Sequence, residues 1–177
     1  MVFGLFRPRS DDRPAAIYRW IVAAARRPVF YERFGVPDTV EGRIELLMLH
    51  TGLVMSRLSA DDGDRELARA VAEAFFADVD ASLRELAVSD VAVPKKMKKV
   101  AGAFYGRLSA YQEAPDADAL AAALARNVLA GADHPETTGL ARWVRAAAAS
   151  LRETPVAALA DGTAALPDPA AFLTRET

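Results

Sequence analysis

The sequence predicts an all-α fold: a single-domain helical bundle of about six helices with a loosely packed C-terminal tail. Three observations carry that expectation. Alanine is in excess, β-branched residues form no runs, and no segment alternates apolar with polar residues between turn signals. With 177 residues, 52% of them apolar, the chain is long enough to bury one sizeable core and too apolar to stay disordered.

The first helix is expected to start near Pro14, because proline's missing N–H would lack an intrahelical partner in the first turn anyway, and to end before Pro28. Ile17, Trp20, Ile21 and Ala24 share its inner face. The connector from Pro28 to Pro37 carries Phe30, Tyr31 and Phe34, rings that would be wasted on solvent and that pin an irregular segment to the core. The second helix has the clearest start: Asp38 is placed to cap free amides, and Glu41, three residues on, to reach back to the Asp38 amide. From Ile44 to Leu58 this helix is apolar almost all round, which assigns it to the centre of the bundle.

Asp61-Asp62-Gly63 marks a turn, and a third helix from Asp64 to about Leu86 puts Leu67, Val71, Ala74, Phe75, Asp78 and Ser82 on one side. Pro94 disfavours helix at Val93, so a fourth helix is expected from about Lys95 to Tyr111, closed by Pro115. Two further helices follow, one capped by Asp116 and stopping near Gly131, the other from about Thr138 to Glu153. Past Pro155 the turn signals multiply and periodicity fades. The expected organisation is a flexible N-terminal segment (1–13), a helical domain (14–154) and a C-terminal tail (155–177).

Composition narrows the function. Twenty-two basic against 24 acidic residues leave a net charge of -2, which gives no global pull toward nucleic acid, and a helix-turn-helix signature is lacking, so sequence-specific DNA is not an expected partner. The absence of cysteine excludes disulfides, thiolate metal sites and thiol nucleophiles, and suits a cytoplasmic address. His50, in the apolar second helix, reads as a core imidazole and His134, before Pro135, as an exposed loop residue; no metal-binding spacing joins them. No apolar run reaches the roughly 18 to 20 residues of a membrane span, and the opening Met-Val-Phe-Gly-Leu-Phe is too short for a signal-peptide core. With no phosphate loop, nucleophile elbow or dinucleotide fingerprint, neither an enzyme nor a cofactor is expected.

Two carboxylates need structural accounts. Asp80 lies four residues before Arg84, the spacing of an i,i+4 pair worth about 0.2–0.5 kcal/mol. Asp78 falls among Leu67, Val71, Ala74 and Phe75, where a carboxylate needs a partner; Arg43 or a lysine of the fourth helix are the candidates.

The most informative pattern concerns lysine. Lys95, Lys96, Lys98 and Lys99 are all the lysines of the chain, every other basic residue being arginine. At 100° per residue they cover one side of the fourth helix together with Gly102, Ala103 and Gly106, while Met97, Val100, Ala101, Phe104, Leu108 and Tyr111 cover the other. Two glycines inside a helix cost about 1 kcal/mol each relative to alanine. Close approach of another surface is a compensation that would retain them.

The stretch Tyr31-Glu32-Arg33-Phe34-Gly35-Val36-Pro37-Asp38-Thr39-Val40-Glu41-Gly42-Arg43 resembles the opening signature of the ubiquinol-cytochrome c chaperone family. A second signature follows in the family's order and spacing: Phe75-Phe76-Ala77-Asp78-Val79-Asp80, Leu83-Arg84-Glu85-Leu86, Asp90, Val93, Lys95-Lys96-Met97-Lys98-Lys99 and Ala103-Phe104-Tyr105-Gly106-Arg107. Ala87 and Ser89 stand where the family tends to carry glycine. The resemblance implies a non-enzymatic assembly factor for the cytochrome b subunit of ubiquinol-cytochrome c reductase; mitochondrial relatives act with a second protein at the ribosome and hold newly made cytochrome b.

The expected working surface is therefore the Lys95, Lys96, Lys98, Lys99, Gly102, Tyr105, Gly106 and Arg107 face, adjoined by Tyr31 and Phe34. Its expected partners are nascent or newly inserted cytochrome b, with a ribosome, a second assembly factor or an anionic membrane surface as electrostatic alternatives, the last placing the protein peripherally on the cytoplasmic face of the inner membrane. Asp78, Asp80, Arg84 and Arg43 are expected as structural polar residues. Another reading is a bundle that binds a small apolar ligand, a quinone or a lipid, in a cavity bordered by Asp78, Phe75 and Met48, with Asp78 orienting the polar end.

Overall fold

A computed structural model of the chain describes residues 12–85, 92–132 and 134–174, and those residues are helical with no β-strand among them. The order is α1 (Arg13–Ala25), α2 (Val29–Glu32), α3 (Val40–Leu58), α4 (Arg65–Glu85), α5 (Val93–Gln112), α6 (Ala117–Asn127), α7 (Thr137–Glu153), α8 (Val156–Ala160) and a 3-10 turn at Pro169–Phe172. The Phe3-to-Arg7 segment, Ala87, Ser89 and Asp90 lie outside the described residues.

Helix α3 occupies the centre, as its apolar circumference requires, and packs against α1, α4, α5 and α7. Its own Leu46 and Leu49 are fully buried, as are Ile17, Ile21, Phe30, Phe34, Phe75, Phe104 and Trp143 around it. The connector does fold onto this core: its middle forms α2, and Phe30 lies edge-on to Trp143 at 4.9 Å and to His50 at 5.4 Å. Gly35, with φ +75, ends this segment in the left-handed region, and the His134 ring packs so closely that a Cβ there would lie 2.4 Å from it. His134 is consequently half-buried rather than exposed.

The starts of the helices follow local chemistry, with two shifts from expectation. The α3 cap is Thr39, not Asp38: Thr39 is extended (φ -117, ψ 169) and its hydroxyl accepts from the Gly42 amide at 3.1 Å. Asp38, one residue too early to reach that amide, instead accepts from Arg43 Nε at 2.7 Å. Asp64 accepts from the Leu67 amide at 2.9 Å ahead of α4, and Asp116 from the Ala119 amide at 2.8 Å ahead of α6. Helix α5 starts two residues earlier than expected, because Pro94 is tolerated within a first turn, where its missing N–H costs no bond.

The tail is not loose. Leu159 is fully buried and Pro169 is buried. Both tryptophans of the chain donate their indole N–H to it, Trp20 to Ala164 O and Trp143 to Pro167 O, each at 3.0 Å. Arg27 donates to Asp168 at 2.6 Å, and the Thr174 amide donates to Glu136 at 2.9 Å. Gly139 makes room for this strap, since a Cβ on it would lie 2.5 Å from Phe172 O. Proline and alanine hide the apolar periodicity that would have announced the docking, and the fastening runs through long-range side-chain-to-backbone bonds that a local pattern does not encode.

Candidate functional site

Helix α5 packs its Phe104 side inward and leaves the opposite side bare. Phe104 is buried and stacks on Phe75 at 5.2 Å, with Phe76 edge-on at 5.6 Å, so the aromatic residues of α4 and α5 fix the rotation of the helix about its axis. That rotation turns Lys95, Lys96, Lys98, Lys99, Gly102, Tyr105 and Gly106 to the outside, all exposed. A Cβ added to Gly102 or Gly106 would meet no heavy atom of the described residues within 4 Å. Tyr105 is 53% exposed and, among the described residues, is one of two exposed large hydrophobic side chains, Val40 being the other. No ion pair among the described residues engages any of the four lysines. Behind Tyr105 a shallow groove of about 340 Å³ runs between α3, α4 and α5, floored by Met55, Ala72 and Phe76.

Three residues expected on this face lie elsewhere. Phe34 is 0% exposed and stacks beside Phe30, so it belongs to the core. Tyr31 is half-buried, donates its hydroxyl to Ala25 O at 3.3 Å and borders a surface hollow with Arg26, Asp38 and Arg43; α2 packs toward the 3-10 turn, whereas α5 packs on α3, α4 and α6. The connector therefore does not adjoin the lysine face. Arg107 points inward, donating to Glu45 of α3 at 2.6 Å. Burial pushes the Glu45 carboxyl up, and the guanidinium only partly offsets it. An acid inside the apolar run from Ile44 to Leu58 was the signal that this pair existed.

The structural polar residues resolve differently from expectation in one case. Arg84 and Asp80 form the i,i+4 pair at 2.7 Å. Asp78 is partnered neither by Arg43, which is engaged with Asp38, nor by a lysine; it accepts from the Tyr18 hydroxyl of α1 at 2.8 Å. Burial, then the bond to Asp78, raises the Tyr18 pKa, so the phenol stays a donor. Arg57 was not anticipated: nearly buried at the end of α3, it donates to Thr154 O at 2.8 Å and grips Asp62 through two bonds of 3.0 Å.

A cavity oriented by Asp78 is not what the packing leaves. Phe75 is 0% exposed against Phe104, and Asp78 is held by Tyr18. Met48 borders a different cleft, of about 320 Å³, between α3, α5, α6 and α7, with Leu53, Leu108 and Tyr111 on its walls and Arg145 and Arg152 at its rim. His50 is a core imidazole: its Nδ1–H donates to Leu46 O at 2.8 Å and burial lowers its pKa to about 4, so the ring is neutral. Among the described residues no group of histidine and carboxylate side chains has the arrangement of a metal site, and no helix is long and apolar enough to cross a membrane.

Comparison with known proteins supplies what the chemistry of the face does not. The family model described as Ubiquinol-cytochrome C chaperone matches residues 32–166, more than half of the chain. Among solved structures, the fold is similar to the crystal structure of the Cbp3 homolog from Brucella abortus, with a TM-score of 0.79 and 43% sequence identity over 90% of this chain and 91% of that one. No curated protein matches the chain.

Proposed function

The chain belongs to the ubiquinol-cytochrome C chaperone family, and from that premise we propose that it is a non-enzymatic assembly factor that promotes the biogenesis of cytochrome b for the ubiquinol-cytochrome c reductase complex. Its working surface is the outer face of α5, from Lys95 to Gly106. One observation carries that assignment: a helix whose inner side is locked by Phe104 presents, on its outer side, four lysines without ion pairs and two glycines with open space above them among the described residues, and an exposed tyrosine. Solvent alone does not require such a combination, because alanine at Gly102 and Gly106 would stabilise the helix by about 1 kcal/mol each.

The protein acts from the cytoplasmic side, peripheral to the membrane that receives its client. Partners meet α5, not Phe34 or Arg107, whose side chains are committed to the interior. Cells that lack the chain should accumulate less cytochrome b, and a variant with Lys95, Lys96, Lys98 and Lys99 replaced by glutamine should reproduce that deficit while keeping wild-type helix content and thermal midpoint. Normal cytochrome b levels in cells carrying this folded variant would refute the surface assignment.

A further inference from the structure

Resting on the reading of α5 as a working surface, we infer that the object it meets is an anionic lipid bilayer, with Lys95, Lys96, Lys98 and Lys99 among the headgroups and Tyr105 at their level. The choice of cation is the first argument. This chain uses arginine for every basic residue except these four. Arginine's planar fork suits bidentate phosphate and base recognition, as in an RNA site, and also carboxylate pairs, whereas lysine is a compact, strongly hydrated charge on a long flexible stem that serves diffuse attraction to a charged layer. The arginines show the other use: Arg13, Arg27, Arg43, Arg57, Arg69, Arg84 and Arg107 each hold a carboxylate of this chain.

Shape is the second argument. The stripe from Lys95 to Gly106 is a convex helix side about 16 Å long at 1.5 Å per residue, and the shallow groove behind Tyr105 is lined by α3 and α4 and by none of the four lysines. Gly102 and Gly106 lower the profile of its C-terminal half, with no described residue within 4 Å of a Cβ at either. Tyr105 stands two turns beyond Lys98 on the same side, backed by the Phe76 ring at 6.4 Å, so an amphipathic ring extends from an apolar bed to the level of the lysine heads. A cationic side chain cluster beside an aromatic ring is the pattern that settles helices at the headgroup boundary. Charge is the third argument. With a net charge of -2 the whole molecule has no general attraction to polyanions, so a local cationic face orients it on an extended anionic plane, with the rest of the protein turned away.

The test is sedimentation of the full chain with vesicles of neutral phosphatidylcholine alone, or with about 40% phosphatidylglycerol, at low salt and again at about 0.5 M salt, where the Debye length has contracted to a few Å. Binding to the anionic vesicles is expected to exceed binding to the neutral ones at least about tenfold and to vanish at high salt. The fourfold lysine-to-glutamine variant should fall to the neutral level, and Tyr105→Ala should weaken binding several-fold while keeping the preference for anionic lipid. Equal recovery on both vesicles, undiminished binding by the lysine variant, or binding to a single-stranded RNA with none to vesicles would each overturn the inference. Cytochrome b levels are read separately: vesicle binding that is lost in the variant while cytochrome b stays normal sinks the assignment of α5 as the surface used in assembly and spares the membrane contact, and vesicle binding that is kept while cytochrome b falls does the reverse.

Discussion

Arg107 and Glu45 join α5 to α3 by an ion pair in which the guanidinium Nη2 donates to the carboxylate at 2.6 Å, with only 21% and 15% of the two side chains exposed. The second contact, Nε to Oε2 at 2.5 Å, is close but lacks hydrogen-bond alignment. Two turns of helix separate this inward arginine from the outward lysines. The same helix thus carries its fastening and its free charge on different sides.

Because desolvation already holds the Glu45 carboxyl above its ordinary value, removing the cation beside it leaves an uncompensated buried charge. Arg107→Met should cost about 3 kcal/mol in urea denaturation at neutral pH. Glu45→Gln should cost less, about 1–2 kcal/mol, since glutamine can still accept from Arg107 although the largely buried guanidinium loses its counter-ion. The double replacement should cost less than the sum of the two. The pH sign follows from the same direction: with its folded pKa raised, Glu45 makes the folded state bind more protons just above pH 4.5, so its contribution to stability falls as pH rises through the folded value.

His50 works in the opposite sense. Its folded pKa is lowered to about 4 from 6.5, so the unfolded chain binds the proton first as pH falls. The stability it protects is fully present above pH 6.5 and is lost progressively down to about pH 4. A shift of that size corresponds to roughly 3 kcal/mol by the linkage relation. Thermal midpoints measured from pH 7.5 to pH 4.5 should therefore fall, and His50→Leu should flatten the acid limb even if it lowers the midpoint at neutral pH. An acid limb of unchanged steepness in that variant would move the responsibility to other groups.

How much of this was legible beforehand depends on whether the signal was local. The outward turn of the lysine stripe was readable because helical period and residue type agree over three turns, and Phe104 on the opposite side supplies the anchor. The central place of α3 was readable from its apolar circumference. Long-range polar bonds were not: the sequence spacing of Tyr18 and Asp78 is 60 residues, that of Arg107 and Glu45 is 62, and that of Trp20 and Ala164 is 144. The first two were decided by how helices cross and the third by where the tail runs, and single-helix periodicity contains neither. Phe34 illustrates the limit from the other side. A ring in a connector serves equally as anchor or as bait, and here the core claimed it, at 0% exposure.

The two glycines of α5 separate stability from function more sharply than the lysines do. Among the described residues no heavy atom lies within 4 Å of a Cβ placed on Gly102 or Gly106, so alanine fits at both without displacing one. Helix propensity then favours the substitution by about 1 kcal/mol at each site, and the paired Gly102→Ala and Gly106→Ala variant should be more stable than wild type by about 1–2 kcal/mol. If the low profile exists so that another surface can approach the helix backbone, the same variant should support less cytochrome b accumulation despite its stronger fold. Leucine at the two positions, which adds bulk, should lower it further. A stabilised protein with undiminished cytochrome b would mean that contact on α5 depends on charge and not on closeness, because no loss of folding would be available to explain either result.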